Sequence, residues 1–443
     1  MQRVFPAAWL SARGAWWLVT VGLVIALTSV VPQLVWLGWL AGAAYLALLL
    51  ADAALGPRPA YLRLTRKPAG FVALRHAAAL HYVVENRSPV AIRMGILESP
   101  VETLTFERDV IDVAVAARTF VEVSSPFQAC ERGLAELSAI YCWVENRLGL
   151  LRRRFRVVAP ESVRVFPDLS AIERYGRLAR RRTLIEAGLR KLRLRGAGAE
   201  FESLREYSAG DAFRSVNWKA TARRGRMMVE QYEVERSQNV LVLLDAGRLM
   251  TPRIGPQRKF DYALTAALSV AHIAQAASDN VGLTAFAATP VLAIAPRRGA
   301  GHVNALTRAA YDLQPRLEEP DYETTFAHIK QRYSKRSLIV LFTDMFDPAA
   351  SAAVLAGLAT LVPRHLVICV LMNDAAIARA LDAVPATAKD AYRTAVALAL
   401  VAERERAVAS LRARGIIVVD VPAPQLTVSL LDTYLDVKAR GLL

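Results

Sequence analysis

The sequence is poor in cysteine and lacks the short motifs that bind nucleotides or build common hydrolase sites. Its three cysteines, Cys130, Cys142 and Cys369, form no CxxC pair and leave one unmatched, which argues against a disulfide framework or a zinc ribbon. No GxxxxGKS or GxxxxGKT loop occurs, so we do not expect the chain to hydrolyse ATP. GxSxG, HExxH and GxGxxG are also absent, which disfavours serine hydrolases, zinc proteases and dinucleotide-binding enzymes.

Charge is missing from one long stretch, residues 14–51, which holds 38 uncharged residues. A hydrocarbon core of about 30 Å needs only about 20 helical residues, so this stretch is too long for one span. Pro32-Gln33 divides it into Ala15–Val31 and Leu34–Ala51, which predicts a transmembrane helical hairpin within residues 1–57. A cleaved signal peptide is the weaker alternative because a second apolar span follows directly. Both ends are predicted to be cytoplasmic from the flanking basic residues Arg3, Arg13, Arg58, Arg63, Arg66 and Lys67.

Acidic residues are outnumbered, because 56 Lys and Arg against 40 Asp and Glu give a net charge of +16. The excess is concentrated in residues 145–236, which hold 22 basic and 12 acidic residues. Within them, residues 174–195 predict a helix with an apolar stripe and a basic remainder. Three interpretations of this helix stay open: a solvated face, attraction to an anionic membrane leaflet, and nucleic-acid binding. The last is disfavoured because Tyr175 is the only aromatic residue there.

Residues 58–168 show short apolar stretches with period-two alternation, as in Val101–Phe106, which is typical of half-buried antiparallel strands. Turns are predicted at Asn86–Pro89, Ser124–Pro126 and Arg132-Gly133. The segment is therefore expected to form a small β-sandwich. Cys130 and Cys142 are expected to be small buried residues.

Residues 239–443 alternate apolar runs with helical segments. The predicted strands are Val240–Leu244, Val281–Phe286, Leu338–Phe342, Leu366–Leu371 and Ile416–Val421. Each run is nearly continuous in hydrophobicity, as strands buried on both faces should be. A long helix is predicted from Asp390 to Arg414, and a last one from Val428 to Arg440. The predicted fold class is α/β, a doubly wound and mainly parallel sheet, whose ligands usually meet the carboxyl ends of the strands.

Residues 169–238 combine the basic helix with a dense polar motif, Glu200–Arg223. Ser208-Ala209-Gly210-Asp211 predicts a turn, with Asp211 capping a short helix that runs through Trp218. One ion-pair network around the turn would join Arg205, Glu206, Asp211, Arg214 and Lys219. This structural role suffices to explain the motif, and partner binding is the alternative.

The motif and the following Val240–Met250 resemble the signature of the MoxR-associated bacterial family catalogued as domain of unknown function fifty-eight. The matching residues are Phe201, Arg205-Glu206-Tyr207, Gly210-Asp211, Arg214, Asn217-Trp218-Lys219 and Ala222-Arg223. The resemblance implies two N-terminal spans, a β-rich segment and a C-terminal von Willebrand factor A-like domain. It also implies a protein of the bacterial cytoplasmic (inner) membrane whose soluble domains face the cytoplasm and work with MoxR-type AAA+ ATPases. No established catalytic activity comes with it.

Two acidic residues, Asp245 and Asp344, end strands of the predicted sheet and should face one crevice. In von Willebrand A-like domains this crevice holds magnesium through an Asp-x-Ser-x-Ser loop, a Thr and a further Asp. Gly247 and Leu249 stand where the two serines belong, and Arg248 brings a positive charge between them. Thr324 or Thr325 is the candidate for the Thr. We expect a degenerate crevice in which Arg248 neutralises Asp245 or Asp344, so a magnesium site is disfavoured.

The sequence therefore predicts a membrane-anchored adaptor or scaffold rather than an enzyme, with no cofactor. The hairpin would contact membrane lipid. The family resemblance implies a cytoplasmic partner, a MoxR-type AAA+ ATPase, bound through the von Willebrand A-like domain. The alternatives are a metal-dependent enzyme that uses Asp245 and Asp344 and, less favoured, a basic nucleic-acid-binding protein.

Overall fold

A computed structural model describes residues 2–3, 8–170, 172, 200–208, 211, 213–233, 238–345, 348–373, 375–382 and 384–442. The chain is a mixed α/β protein of two compact units, residues 1–166 and 167–443. The first unit contains the predicted hairpin and β-rich segment, and the second contains the signature and the α/β segment. The basic helix predicted at residues 174–195 lies outside the described residues.

The first unit contains two apolar helices, α1 (Ala12–Ser29) and α2 (Val35–Leu55), joined by a short 3-10 helix at Pro32–Leu34. Ser11 caps α1, because its hydroxyl accepts a hydrogen bond from the Gly14 amide at 3.0 Å. Both helices are long and apolar enough to cross a membrane, and at most 11% of each apolar window is buried inside the protein. The predicted pair of apolar helices with a break at Pro32 is thus confirmed.

Besides a 3-10 helix at Pro59–Tyr61, the described part of the first unit contains eleven strands. They are β1 (Gln2–Arg3), β2 (Ala8–Leu10), β3 (Leu62–Lys67), β4 (Val72–Ala73), β5 (Ala77–Asn86), β6 (Ile92–Glu98), β7 (Leu104–Phe106), β8 (Ile111–Val115), β9 (Thr119–Ala129), β10 (Gly133–Glu145) and β11 (Leu151–Phe166). One sheet has the order β1-β11-β10-β6-β8, with β2 and β4 also paired to β11, and the other has the order β3-β5-β9-β7. Residues of both sheets share one hydrophobic core. This arrangement is compatible with the predicted small sandwich.

Two expectations for this unit were wrong. Ser124–Pro126 is no turn but part of β9, where Pro126 pairs with Ala79 of β5. Pro126 is tolerated there because the pairing of β9 with β7 ends at the next residue, Phe127. Cys130 is exposed, since it follows the end of β9, whereas Cys142 within β10 is buried as expected.

The second unit begins with a two-stranded sheet and contains a six-stranded one. The strands are β12 (Glu200–Glu206), β13 (Met228–Glu233), β14 (Asn239–Asp245), β15 (Arg253–Ile254), β16 (Gln257–Arg258), β17 (Asn280–Phe286), β18 (Pro290–Arg297), β19 (Ser337–Phe342), β20 (Leu366–Asn373) and β21 (Ile417–Pro422). The large sheet has the order β18-β17-β14-β19-β20-β21. All its strands run parallel except β18, which pairs antiparallel with β17 at the edge. The five predicted strands are present, whereas β18 was missed because it is half-exposed and contains two prolines.

Helices pack on both faces of the large sheet. The α-helices that the structure describes in this unit are α3 (Trp218–Arg224), α4 (Lys259–Ala276), α5 (Ala300–Ala310), α6 (Tyr322–Arg332), α7 (Pro348–Leu361), α8 (Ala375–Asp382), α9 (Ala388–Ala413) and α10 (Leu426–Arg440). Alternate residues of β14 enter different cores: Val240 and Val242 pack with α4, α5 and α10, while Leu241 and Leu243 pack with α6, α7 and α9. Burial on both faces explains why the strand sequences are continuously apolar.

Local sequence signals mark where the two C-terminal helices begin or end. Thr387 and Asp390 form a capping box at the start of α9, and Gly415 follows its end with a φ of 79°. Gly441 closes α10 with a φ of 63°, a conformation that glycine adopts without strain. Both helices occur where the sequence predicts them.

Candidate functional site

Asp245 is the last residue of β14, and its carboxylate is completely buried at the carboxyl edge of the sheet. It accepts hydrogen bonds from the hydroxyl of Tyr322 at 2.6 Å, the hydroxyl of Thr343 at 2.8 Å and the amide of Gly247 at 2.7 Å. These three donors to Asp245 are all neutral groups. Neutral donors hold a buried carboxylate in place without compensating its charge.

Asp344, two residues beyond the end of β19, is also completely buried but receives two cations. The Lys259 ammonium lies 2.5 Å from one carboxylate oxygen, and the Arg404 guanidinium lies 2.7 Å from the other. Arg404 also contacts Asp420 at 2.8 Å. Lys259 and Arg404 are each only 5% exposed. This set of residues, Asp344, Lys259, Arg404 and Asp420, is called the buried ion-pair cluster below.

The cluster draws on both layers of helices. Lys259 is the first residue of α4 on one face of the sheet, and Arg404 lies in α9 on the other. Because Arg404 and Lys259 both reach the carboxyl edge, they meet Asp344 from opposite sides of the sheet. The cluster thus joins the layers at the edge where ligands of such sheets usually bind.

The loop after β14 is closely packed. A Cβ added to Gly247 would lie 2.7 Å from Cδ of Pro320 and 2.9 Å from the carbonyl oxygen of Glu318. A serine at this position therefore does not fit unless the neighbouring backbone moves. The Arg248 amide donates to the Glu318 carbonyl at 2.9 Å, which fixes the loop against residues 316–320.

Arg248 does not take the predicted role. Its side chain forms an ion pair with Glu319 at the protein surface, with 41% and 64% of the two side chains exposed. The carboxylate of Asp344 is neutralised by Lys259 and Arg404 instead. The expected neutralisation of an acidic residue in the crevice therefore occurs, but the cations come from two helices rather than from the loop.

Neither candidate threonine supplies a hydroxyl to Asp245. Thr324 is exposed in the first turn of α6, where its amide donates to the capping carboxylate of Asp321 at 3.0 Å. The Thr325 hydroxyl donates to the Asp321 carbonyl at 2.7 Å. The hydroxyls at the crevice belong to Tyr322 and Thr343.

Burial dominates the acid–base behaviour of the crevice. It raises the pKa of the Asp245 carboxyl above its ordinary value, although the hydrogen bonds from Tyr322, Gly247 and Thr343 act in the opposite direction. Burial and the neighbouring Asp245 also raise the pKa of the Tyr322 hydroxyl. The thiol of Cys369 in β20 has a pKa raised to about 12, mainly by burial, so it is not a reactive nucleophile at neutral pH.

The chemistry of the donors indicates a structural cluster. Both oxygens of Asp344 are already contacted by cations, so a metal ion would have to displace Lys259 or Arg404. Within the described ranges, no group of three or more His, Cys, Asp and Glu side chains has the arrangement of a metal site. The crevice is thus better suited to stabilising the sheet edge than to holding magnesium.

The signature residues form a small separate structure. Arg205 in β12 holds Asp211 through hydrogen bonds of 2.8 and 2.5 Å, and the Ser208 amide donates to Asp211 at 2.8 Å. Glu206 pairs with Arg226, a partner that the prediction did not include. The pKa values of Arg205 and Arg226 are raised by these carboxylate contacts.

The rest of the signature differs in part from prediction. The helix α3 starts at Trp218 and is capped by Asn217, whose side chain accepts from the Ala220 amide at 2.8 Å, so Asp211 is not the cap. Trp218 is 59% exposed beside Phe213, Lys219 is exposed, and the Tyr207 amide donates to the Met227 carbonyl. Gly210 and the side chain of Arg214 lie outside the described residues.

Sequence patterns did contain a weak signal for one missed residue. The buried positions of α9 are Ala397, Arg404, Ala407, Val408 and Leu411, so Arg404 lies on the apolar stripe despite its charged neighbours. A charged residue on a buried stripe needs a partner. No comparable signal marks Lys259 or Tyr322, whose positions depend on how the helices meet the sheet.

Comparison with known proteins finds a family model that matches part of the chain. Residues 203–406 match the family model described as "Protein of unknown function DUF58". The DUF58 match includes most of the signature and three members of the buried ion-pair cluster, Lys259, Asp344 and Arg404. The predicted resemblance of the signature is thereby confirmed at the level of the family model.

The individual proteins that resemble this chain match it over short segments or at low sequence identity. "Uncharacterized protein YeaD" of Bacillus subtilis (strain 168) is 42% identical over 43 residues, which cover 10% of this chain and 11% of that protein. The conserved hypothetical protein BatB from Bacteroides thetaiotaomicron is 11% identical with a TM-score of 0.30, covering 45% of this chain and 99% of that one. A PapD-like domain of human CEP192 is 9% identical with a TM-score of 0.20, covering 24% and 87%. Neither structural likeness is close enough to support an argument about function.

Proposed function

We propose that this protein is a membrane-anchored adaptor or scaffold without catalytic activity. In this proposal α1 and α2 span the bacterial inner membrane, and the remaining chain faces the cytoplasm. The α/β unit serves as a doubly wound, von Willebrand A-like module that binds a MoxR-type AAA+ ATPase. The mainly parallel sheet with helices on both faces supports the choice of module.

The observation that carries the proposal is the buried ion-pair cluster. An enzyme that used Asp245 and Asp344 would need at least one carboxylate oxygen open to a metal or a substrate. Both oxygens of Asp344 face buried cations, and Asp245 is enclosed by three donors. A rigid, internally neutralised edge is suited to presenting a surface to a protein partner.

The exposed rim of this edge is the proposed docking surface. Arg248 and Glu319 lie there, and both side chains are partly solvent-accessible. Charged residues at the rim of an interface mainly direct association and select the partner. A reversal of charge at Arg248 should therefore weaken docking without disturbing the buried cluster.

Capture of the ATPase tests this proposal. The full-length chain, solubilised in neutral detergent at low salt, is expected to retain a purified MoxR-type ATPase. Arg248→Glu should reduce the retained amount about tenfold. The matched control is Arg364→Glu, which makes the same charge change at an exposed position before β20, at the opposite edge of the sheet, and should retain the ATPase fully.

Failure of the wild-type chain to retain any MoxR-type ATPase would refute the adaptor proposal. Equal losses in Arg248→Glu and Arg364→Glu would refute the assignment of the docking surface. Neither alternative function gains support from the described residues: the acidic pair is enclosed, and the basic helix at 174–195 lies outside them.

A further inference from the structure

The turn between β10 and β11, residues 146–150, is fixed to the ends of the apolar helices. Asp52, near the end of α2, is completely buried. Its carboxylate accepts hydrogen bonds from the backbone amides of Leu148 at 2.7 Å, Leu150 at 3.0 Å and Leu151 at 2.9 Å. Hydrogen bonds to a charged acceptor are the strong ones, so the turn and α2 are held as one piece.

The start of α1 holds the same turn from its other side. The Ser11 amide donates to the Leu150 carbonyl at 2.8 Å, and the Tyr45 hydroxyl of α2 donates to the Gly14 carbonyl at 2.7 Å. A Cβ on Gly14 would lie only 2.3 Å from the Leu150 oxygen, so glycine is needed for this close approach. The turn therefore lies where both helices would leave a membrane.

Positive charge surrounds this turn. Residues Glu145–Arg156 include five arginines and a single acidic residue, and Arg13 in α1 lies beside Gly149. Glu145 is paired with Arg152. Among the described residues, Arg13, Arg147 and Arg154 have no carboxylate partner, and Arg154 stacks over the ring of Trp9. These three arginines with Trp9 are called the interfacial arginine patch.

The patch has the composition of a membrane-surface site. Arg13 and Arg147 are exposed, and Leu148 at the tip of the turn is 44% exposed. Arg154 lies three residues along β11 from Leu151, about 10 Å away, which is about one Debye length at an ionic strength of about 0.1 M. An amphipathic indole, an apolar tip and unpaired guanidinium groups together match the headgroup region of a bilayer.

We infer that the interfacial arginine patch binds the phosphate groups of anionic phospholipids. The inference rests on the proposed membrane anchoring of α1 and α2. A guanidinium group donates two parallel hydrogen bonds to a phosphate, so Arg13, Arg147 and Arg154 favour anionic headgroups over zwitterionic ones. The rigid attachment through Asp52 keeps the patch at the level of the headgroups.

Native mass spectrometry of the full-length chain in neutral detergent tests this inference. The wild-type chain is expected to retain phosphatidylglycerol in preference to phosphatidylcholine, with the preference declining at high salt. Arg13→Gln combined with Arg147→Gln should reduce the preference about tenfold or more. The matched control, Arg108→Gln with Arg164→Gln, removes two exposed arginines elsewhere in the unit; Arg164 lies roughly 40 Å along β11 from the turn and should have no effect.

A wild-type chain that retains both lipids equally would overturn the inference, as would the same loss of preference in the control variant. Binding of inorganic phosphate at the patch without lipid preference would also count against it. Extraction of membranes with alkaline carbonate tests membrane anchoring separately from lipid binding by the patch. All variants should stay in the membrane pellet, and release of the wild-type chain would contradict the spanning helices themselves.

Discussion

The buried cations Lys259 and Arg404 neutralise the carboxylate of Asp344 in the acidic crevice. Desolvating Lys259, Arg404 and Asp344 is costly, and the contacts among them compensate that cost only while all partners are present. The cluster is therefore sensitive to the loss of any one member. The exposed pair of Arg248 and Glu319 should matter much less, since solvent screens it.

Replacing Lys259 by methionine should destabilise the α/β unit by about 3 kcal/mol or more, because Asp344 keeps only Arg404 as a cationic partner. The free energy of opening is measured by hydrogen exchange at β19 in the full-length chain. Arg248→Met is the matched control and should cost less than about 1 kcal/mol. Similar effects of the two substitutions would contradict the structural role of the cluster.

Because the pKa of Asp245 is raised in the folded protein, the stability of the α/β unit should depend on pH. The folded protein holds the Asp245 proton more tightly than the unfolded chain, so this group lowers stability as pH rises from about 4 through the folded pKa. Asp245→Asn removes that dependence. The melting temperature of Asp245→Asn relative to the wild type should therefore increase with pH across this window.

The exposed Asp312 provides a control for the pH series. Asp312→Asn should leave the pH dependence of the melting temperature unchanged. If Asp245→Asn behaves in the same way as Asp312→Asn, the carboxyl of Asp245 is not perturbed by burial.

At the scale of elements, the side chain of Asp52 connects the helical hairpin to the β-sheet. Asp52 receives three backbone amides of the β10–β11 turn, while the Asn146 side chain donates to the Asp52 carbonyl at 3.0 Å. A backbone turn that would otherwise leave buried amides unpaired is thereby satisfied. The connection depends on a carboxylate, which only accepts hydrogen bonds.

Asp52→Asn should weaken this connection. The asparagine side chain places an NH2 donor where a carboxylate oxygen accepted hydrogen bonds, and it lacks the negative charge that strengthens those bonds. The amides of Leu148, Leu150 and Leu151 should lose roughly 2 kcal/mol of protection, or exchange about 30-fold faster. Hydrogen exchange followed by mass spectrometry of the full-length chain measures this. Asp112→Asn, at an exposed position of β8, should leave the same peptide unaffected.

The signature shows how local chemistry builds a small element. Asn217 caps α3, Gly225 ends it with a φ of 65°, and Arg205 holds Asp211 beside the strand pair β12–β13. These contacts keep the polar groups of Arg205, Asp211 and Asn217 within the motif itself. Trp218 and Phe213 stay exposed, so the partner-binding alternative stays open for them.

For the whole molecule, the exposed Cys130 offers a natural probe of topology. If the β-rich unit faces the cytoplasm, a membrane-impermeant maleimide should label the chain in permeabilised cells and not in intact spheroplasts. Cys142 and Cys369 should not react, because burial raises the pKa of both thiols. Cys130→Ser should abolish labelling, and labelling of intact spheroplasts would place this unit on the outer side.

The sequence by itself determined the features that repeat at short range. An uncharged run with a break at Pro32 gave two apolar helices, and continuous apolar runs such as Leu338–Phe342 gave the strands of the large sheet. Asp245 and Asp344 could be placed at the carboxyl edge for the same reason, since strand ends are local signals. The half-exposed edge strand β18 was not predicted, because its two prolines interrupt the apolar pattern of a strand.

Only the tertiary structure decided which charges meet. Lys259 and Arg404 reach Asp344 across separations of 85 and 60 residues, and Asp52 meets Leu150 across 98. Such pairings depend on the register at which helices pack on a sheet, which no local periodicity encodes. The cations that neutralise Asp344 are therefore Lys259 and Arg404, which the packing of α4 and α9 buries beside it, and not Arg248.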